Sequence, residues 1–202
     1  MTIRLLLADD QELIRTALAT LLELEDDFTV VARVGRGDEV VDAARRHRPD
    51  IALLDIEMPG LDGLAAAAEL AAEQPDCKVV MLTTFGRPGY LRRAMEAGAR
   101  GFVVKDAPAE ELAAAIRRVA AGERVVDPEL ATLTLAGGPS PLTARERDVL
   151  MAARSGATVA EIAAELILSE GTVRNYLSAA ITKTGARNRI EATRTADNRG
   201  WL

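Results

Sequence analysis

Ile3-Arg4-Leu5-Leu6-Leu7-Ala8-Asp9-Asp10 is an apolar run of strand length that ends in two carboxylates. Four more largely apolar segments of strand length follow along the chain, at Phe28 to Val34, Ile51 to Asp55, Lys78 to Thr83 and Gly101 to Lys105. Because these runs are largely apolar and do not alternate strictly with polar residues, they predict strands covered on both faces of a parallel sheet.

The segments between these strands repeat apolar residues at helical spacing and predict five helices. They are Gln11 to Leu24, Asp38 to Arg48, Gly63 to Glu73, Gly89 to Ala97 and Ala109 to Ala121. Alternating strands and helices predict an α/β fold in which a five-stranded, doubly wound parallel sheet carries helices on both faces. Ligands of such sheets bind at the carboxyl ends of the strands, where the loops diverge.

The remainder of the chain differs in kind from this α/β part. Residues 123–141 contain few core residues and end in Gly137-Gly138-Pro139-Ser140-Pro141, so we interpret them as a linker, in which Pro128 to Leu135 suits one short helix. Four helices without an intervening strand follow, at Leu142 to Arg154, Thr158 to Leu166, Glu170 to Lys183 and Asn188 to Arg199. The predicted domains are therefore residues 1–122, a linker at 123–141, and a small all-α domain at 142–202.

Composition and charge limit the functions that the chain can have. Its 202 residues are 49% hydrophobic and 28% charged, and no apolar stretch approaches the roughly 18 residues of a membrane span, which predicts a cytoplasmic protein without membrane contact. The single cysteine, Cys77, has no second thiol for a disulfide and is expected to be buried. The net charge of −6 is uneven: residues 171–202 hold six basic and two acidic side chains, so a polyanion is expected at that end.

Acidic side chains follow the first and third predicted strands. Asp9 and Asp10 come directly after the first and Asp55 closes the third, so the three carboxylates are expected at one edge of the sheet. Such a crowded set of oxygens suits Mg²⁺. Thr83 and Lys105 end two further strands and add a hydroxyl and an ammonium group, which together predict a site for phosphoryl chemistry.

A helix-turn-helix is predicted in the C-terminal domain. Ser169 is placed to cap the helix that follows, and Val173, Leu177 and Ile181 share its inward face. Arg174, Asn175 and Ser178 then project elsewhere and are the candidates for reading base edges in the major groove of duplex DNA. Phosphate contacts are expected from a second set, which consists of Thr172, Lys183, Arg187 and Arg189.

The acidic constellation, with Asp55-Ile56-Glu57-Met58-Pro59-Gly60, resembles the receiver domain of bacterial two-component response regulators from Ile3 to Gly122. This resemblance implies a flavodoxin-like receiver in which Asp55 is the phosphoacceptor, Thr83 the switch hydroxyl and Phe102 the switch aromatic. It further implies that Lys105 contacts the phosphate and that Mg²⁺ is held by Asp9, Asp10, Asp55 and the backbone carbonyl of Glu57.

The C-terminal motifs resemble the LuxR-type helix-turn-helix, so that the whole chain is similar to the NarL/FixJ family. They are Leu142 to Arg147, Glu161-Ile162-Ala163, Ser169 to Asn175 and Arg189 to Ala192. The stretches Thr83 to Tyr90, Lys105 to Pro108 and Thr172 to Tyr176 look most like the DesR-like branch of that family. In this pattern Glu146 braces the helices and is not a catalytic acid.

The resemblance implies a transcription regulator that is switched by phosphorylation of Asp55. Its implied partners are a cognate histidine kinase, double-stranded operator DNA, RNA polymerase, and a second copy of itself, paired through the first and fifth helices when phosphorylated. A different class is also compatible with the acidic set, namely a Mg²⁺-dependent phosphohydrolase with a phosphoaspartyl intermediate. Hydrolases of that type usually carry an aspartate two positions after the nucleophile, where this chain has Glu57. A regulator that binds DNA without phosphorylation is the third alternative.

Overall fold

The computed structural model describes residues 2–84, 88–136 and 140–202. The chain divides into two compact units, one formed by residues 1–86 and 91–130 and the other by residues 87–90 and 131–202. Gly137 to Pro139, the first three residues of the predicted break at Gly137 to Pro141, lie outside the described residues, as do Phe85 to Arg87 of the DesR-like stretch.

The first unit is built around a parallel sheet with the strand order β2-β1-β3-β4-β5-β6. The five strands expected from the sequence are all present. They are β1 (Ile3–Ala8), β2 (Phe28–Val34), β3 (Ile51–Asp55), β4 (Lys78–Thr83) and β5 (Gly101–Val104). The prediction of an α/β fold with a parallel sheet is thus confirmed.

The number of strands was predicted wrongly, because the sheet has six strands and not five. The additional strand β6 (Val125–Val126) pairs in parallel with β5, and the Val125 amide donates to the Arg100 carbonyl at 2.9 Å. Two residues are too few to produce a periodic pattern, so this strand has no recognisable signal in the sequence. It lies in the segment 123–141 that was interpreted as a linker.

Five helices in this part of the chain connect the strands. Their bounds are α1 (Glu12–Leu22), α2 (Val40–His47), α3 (Gly63–Glu73), α4 (Pro88–Glu96) and α5 (Ala109–Ala120). The helices α1 and α5 pack on one face of the sheet and α2 and α3 on the other, as crossover connections require. The carboxyl ends of the strands consequently lie together at one edge.

A continuous apolar cluster holds α1 and α5 against the sheet. Leu5 and Leu7 of β1, with alternate residues of β3 and β4, contact Leu22 of α1 and Ile116 of α5. Cys77 is buried as expected, and burial raises the pKa of its thiol to about 12. The sheet is therefore packed on its α1 and α5 face by side chains that the strand pattern had predicted to be buried.

The second unit consists mainly of short helices. The short helix that the sequence suggested is α6 (Pro128–Ala136), and most of its residues belong to this unit. Its core is formed by α7 (Ala144–Ala152), α8 (Val159–Glu165), α9 (Glu170–Thr184) and α10 (Arg189–Arg199). The helices α7 and α8 each begin with a capping box in which a threonine and a glutamate satisfy each other's backbone amides. The prediction of a small all-α domain is confirmed. Of the helices that the structure describes, none combines the length and the apolar character needed to cross a membrane.

Candidate functional site

Three carboxylates meet at the carboxyl edge of the sheet, where the sequence had predicted them. Asp9 and Asp10 follow β1, and Asp55 is the last residue of β3, the strand beside it. One oxygen from each of the three lies within 4.8 Å of the others. Asp9 and Asp55 are buried, whereas Asp10 is exposed, so the cluster opens to solvent on the Asp10 side.

Lys105 occupies the space between the two buried carboxylates. Its Nζ lies 2.7 Å from Asp9 Oδ2 and 2.9 Å from Asp55 Oδ2. Burial lowers the pKa of Lys105, but the two carboxylates outweigh this effect and hold the pKa above its ordinary value. The ammonium group is therefore charged, and it offsets one of the three negative charges.

Burial also acts on the nucleophile candidate itself. The pKa of Asp55 is raised, first by burial and also by the charge of Asp9, although Lys105 and the Ile56 amide favour the ionised form. An additional cation at this edge would favour the ionised form further, because it would offset the repulsion between Asp9 and Asp55.

The backbone orients the two buried carboxylates in the same way. The Gln11 amide donates to Asp9 Oδ1 at 2.9 Å, and the Ile56 amide donates to Asp55 Oδ1 at 2.8 Å. In each carboxylate the Oδ2 atom is therefore the one that faces Lys105. Sequence reasoning missed Arg15, whose Nη1 donates to the Asp9 carbonyl from the second turn of α1. A basic residue one turn into the helix after two aspartates was the signal that could have identified it.

The donor set fits a hard divalent cation such as Mg²⁺. Its oxygens are carboxylates at short mutual distance, and one of them is open to water, which Mg²⁺ usually retains in its coordination shell. The buried Asp9 Oδ2 also has no aligned hydrogen bond among the described residues, although Lys105 lies close to it. Glu57 lies in the loop two residues beyond Asp55, and the role of its carbonyl as a ligand stays a prediction.

Thr83 and Phe102 lie on one face of the sheet near this edge. Val80 and Leu82 of β4 belong to the cluster under α1 and α5, so Thr83, one residue further, points to the opposite face. Phe102 is the register partner of Met81 and is buried on that same face. The Lys105 amide donates to the Thr83 carbonyl at 2.7 Å, which links the ends of β4 and β5 directly.

The helix α9 exposes the residues that were predicted to read DNA. Ser169 caps it through the Thr172 amide at 3.1 Å, and Val173 and Leu177 face the core of the second unit. Arg174, Asn175 and Ser178 are exposed along its outer side. Arg174 pairs with Glu170 one turn earlier in the helix, a surface contact that solvent screens.

The four residues predicted to contact phosphates have different surroundings. Thr172 is hydrogen-bonded through its hydroxyl to Ser169, and Arg187 is exposed and paired with Glu191. Arg189 donates to the carbonyl of Ala157 at 2.8 Å. The fourth, Lys183, forms an ion pair with Glu146 of the same unit.

Lys183 lies against Glu146, which the sequence had marked as structural. Its Nζ is 2.8 Å from Glu146 Oε2, and the same oxygen accepts from the Thr143 amide at 2.7 Å. Burial tends to raise the pKa of Glu146, but Lys183 and Thr143 outweigh it and hold the pKa below its ordinary value. This pair joins the start of α7 to the end of α9, a contact that the sequence alone did not predict.

Two parts of the chain match known protein families. Residues 5–117 match the family described as response regulator receiver domain, and residues 140–196 match bacterial regulatory proteins, luxR family. The chain is 46% identical over 200 residues to the transcriptional regulatory protein DesR of Bacillus subtilis strain 168, covering 99% of each protein. It is equally identical to YvfU, an uncharacterized transcriptional regulatory protein of the same organism, covering 99% of this chain and 100% of YvfU.

A solved structure resembles the chain over its full length. It is the crystal structure of the response regulator ChrA in a heme-sensing two-component system, which shares 33% sequence identity with a TM-score of 0.59. The alignment covers 100% of this chain and 99% of that chain. Both the α/β unit and the helical unit therefore have counterparts in one related protein.

Proposed function

Because the chain belongs to the LuxR-type, NarL/FixJ family of two-component response regulators, which are DNA-binding transcription regulators, we propose that phosphorylation of Asp55 by a partner histidine kinase switches its binding to operator DNA. The observation that carries this proposal is the meeting of Asp9, Asp10 and Asp55 with Lys105 at one edge of the sheet. The similar proteins argue against the phosphohydrolase alternative, because they are transcription regulators and not enzymes.

Phosphoryl transfer at this site requires a nucleophile whose charge is held in place. An Asp55 carboxylate oxygen forms the new bond to phosphorus while the bond from phosphorus to the kinase histidine breaks, and the imidazole nitrogen leaves with the electron pair. The Ile56 amide fixes Asp55 Oδ1, and Lys105 lies beside Oδ2, where it can offset charge on the transferring oxygens. Mg²⁺ bound by Asp9, Asp10, Asp55 and the Glu57 carbonyl would supply the remaining positive charge.

The switch follows from the new charge on Asp55. A phosphoryl group adds roughly −1.5 to −2 charges and three acceptor oxygens. Thr83 and Lys105 approach those oxygens, and the hydrogen bond between their backbones makes the ends of β4 and β5 move together. Phe102, on the same face as Thr83, repacks in response and changes the surface beyond β4 and β5.

DNA is read by the outer side of α9 in this proposal. Arg174, Asn175 and Ser178 contact base edges, and Thr172, Lys183, Arg187 and Arg189 contact phosphates. The ion pair of Arg174 with Glu170 is exposed, so exchanging it for a guanine edge costs little. We expect the protein to bind a chromosomal operator next to RNA polymerase, and therefore to act in the cytoplasm.

Self-association of the phosphorylated form is supported by the surface of α1. Leu13 of α1 is 84% exposed, and Leu24, just beyond its end, is 74% exposed. A pocket of about 80 Å³ lies between α1 and α5 and is lined by Leu18, Leu21 and Leu112, among others. We infer that these apolar features pair with their copies in a second chain, so that two α9 helices address paired half-sites.

The proposal is tested by substituting the phosphoacceptor. In Asp55→Asn we expect no labelling by acetyl phosphate with Mg²⁺ and no increase in DNA affinity after that treatment, because the amide cannot attack phosphorus. The control is Asp106→Asn, which removes an exposed carboxylate close to Lys105 in sequence and is expected to keep both properties. Equal labelling of Asp55→Asn and the wild type would exclude Asp55 as the acceptor.

A further inference from the structure

The turn between α8 and α9 exposes a large apolar side chain. Ile167 is 91% exposed, more than any other large hydrophobic residue in the described parts of the chain. Its neighbours Leu166 and Leu168 pack against the core of the second unit. The exposure is thus specific to Ile167 and does not reflect a turn that is detached from the domain.

The backbone of Ile167 is in the left-handed region, with φ of 55°. The Leu168 amide donates to the Ala163 carbonyl at 2.9 Å and the Ile167 amide to the Ala164 carbonyl at 3.4 Å. These two bonds form the Schellman motif that ends many helices, and Ile167 occupies its left-handed position. A β-branched residue is strained there, because its Cβ substituents crowd the backbone.

The same unit uses glycine where the same motif recurs. Gly185, with φ of 68°, ends α9, and Gly200, with φ of 67°, ends α10. In both cases the amide of the following residue reaches back to close the turn, as at Ile167. Keeping an isoleucine at the end of α8 therefore costs stability and exposes apolar surface, a combination that is found at binding sites.

Ile167 lies in the turn just before the N-terminal end of α9. In helix-turn-helix proteins this end of the second helix enters the major groove. Ile167 precedes the cap residue Ser169 by two positions, and Thr172 and Arg174 follow within the first turns. In this class of motif the N-terminal residues of the second helix contact base edges. Thymine C5-methyl groups and deoxyribose C–H groups are the apolar surfaces that duplex DNA presents there.

We propose that Ile167 is an apolar DNA contact, which packs its side chain against a thymine methyl or a deoxyribose beside the bases read by α9. The inference rests on the proposed function, because it requires α9 to be the reading helix. It adds a residue that is neither basic nor polar to the interface, and it explains why the strained isoleucine stands where glycine would be relaxed.

Two substitutions distinguish the loss of a DNA contact from a loss of stability. Ile167→Gly and Ile167→Asn both suit a left-handed backbone, so the full-length variants are expected to melt at or above the wild-type temperature. Their affinity for a duplex selected by the phosphorylated wild type from a random-sequence pool should fall roughly five- to tenfold. The dependence of affinity on salt should keep its slope, because no phosphate contact is lost.

The matched control is Ile190→Asn. Ile190 is 75% exposed in the same unit, but it lies at the start of α10, where Arg189 contacts Ala157 at the opposite end of α8 from Ile167. We expect Ile190→Asn to bind like the wild type. Wild-type affinity of both Ile167 variants, or an equal loss in Ile190→Asn, would overturn the inference.

Replacing thymine by deoxyuridine in the selected duplex distinguishes the two apolar partners. If the wild type binds the deoxyuridine duplex more weakly and Ile167→Asn does not, the contact is a thymine methyl. If the wild type binds both duplexes equally well, the contact is a deoxyribose. Arg174→Ala reports on the proposed function separately. A loss in Arg174→Ala without any in the Ile167 variants overturns only this inference, whereas failure of the wild type to select any duplex overturns both.

Discussion

Lys105 illustrates how a single side chain sets the charge balance of the acidic edge of the sheet. It faces Asp9 and Asp55 at 2.7 and 2.9 Å, while Asp10 is exposed beside them. Three carboxylates and one ammonium leave an excess of negative charge, which explains why the donor set suits a divalent cation. Accepting a phosphoryl group would add further negative charge beside Lys105.

The residue types at this edge were predictable, but their pairing was not. Asp55 ends β3, and Asp9 and Lys105 directly follow β1 and β5. Parallel strands bring their carboxyl ends to one edge, so the proximity of these residues follows from the pattern alone. Which carboxylate Lys105 contacts depends on a long side chain with several rotatable bonds, and the sequence carries no record of that choice. The same holds for Lys183, which was predicted to face DNA and which contacts Glu146.

The pair of buried Glu146 and exposed Lys183 leads to a prediction at the scale of single residues. Lys183→Met should destabilise the second unit by about 1–2 kcal/mol at pH 7, because the buried Glu146 carboxylate loses a charged partner that is itself partly hydrated. Glu146→Gln should cost about 1–2 kcal/mol, because it loses the charge but keeps an acceptor for the Thr143 amide. Urea denaturation of the full-length variants measures both losses.

The stability that Glu146 contributes depends on pH in a definite direction. The pKa of Glu146 is lowered in the folded protein, so its stabilising effect is complete well above its ordinary value of 4.5 and disappears as the pH falls through the folded value. The difference between the wild type and Glu146→Gln should shrink accordingly below that pH. The control is Asp148→Asn, which breaks the exposed contact of Arg145 with Asp148 on the same helix and should change stability by less than about 0.5 kcal/mol. An equal loss in that control would contradict the argument.

At the scale of elements, two glycines allow the loop after Asp55 to close against its surroundings. A Cβ on Gly63 would lie 1.8 Å from the Asp55 carbonyl oxygen, and one on Gly37 would lie 1.9 Å from the Leu61 carbonyl oxygen. The Gly63 amide also donates to the Ile56 carbonyl at 2.9 Å, which closes the loop at the start of α3. The position of Asp55 therefore depends on a helix that can approach its backbone closely.

Gly63→Ala is expected to disturb this approach. The added methyl meets backbone atoms of Asp55 and Ile56, which cannot rotate away as a side chain can, so we expect a loss of about 2–3 kcal/mol in stability and slower labelling of Asp55. Thermal denaturation and labelling by acetyl phosphate measure the two effects.

Gly171→Ala is the matched control for this substitution. Its nearest neighbour is Ser169 Oγ at 3.8 Å, and it lies within α9, so alanine should stabilise the helix by about 0.5–1 kcal/mol. A neutral effect of Gly63→Ala on both stability and labelling would show that the close approach is not required.

The elements that sequence patterns predicted are the ones long enough to show a period. The strands β1 to β5 and the helices α1 to α5 lie within a few residues of their predicted bounds. Each strand is marked by a run of apolar residues and each helix by apolar residues at helical spacing. The strand β6 has two residues and no such mark. The left-handed Ile167 was equally invisible, because glycine is the residue that normally signals this conformation.

For the whole molecule, the distribution of charge separates a signalling part from a DNA-binding part. Residues 1–141 hold 16 basic and 24 acidic side chains, whereas residues 142–202 hold nine basic and seven acidic ones. A domain with so small an excess of basic side chains is expected to bind DNA weakly by itself. Joining two copies lets the second domain bind from a high effective concentration, which raises affinity without any new contact.

Dimer formation is therefore expected to control DNA binding, and the surface of α1 is where it can be interrupted. In Leu13→Asp with Leu24→Asp, carboxylates replace two exposed leucines, and burying them against a second copy becomes unfavourable. We expect the dimer dissociation constant of the acetyl phosphate-treated protein to rise at least about tenfold in sedimentation equilibrium. Affinity for a duplex with paired half-sites should fall with it, while affinity for a single half-site stays unchanged.

The control for this variant carries the same kind of charge on the other face of the sheet. Ala72→Asp places a carboxylate on the exposed side of α3, which packs opposite α1 and α5, and it should dimerise like the wild type. Labelling of Asp55 in the double variant should also be normal, because both leucines are exposed and neither is a member of the acidic cluster. If the double variant dimerised as tightly as the wild type, the α1 surface would not be the interface. If it no longer dimerised but kept full affinity for paired half-sites, DNA binding would not depend on dimerisation.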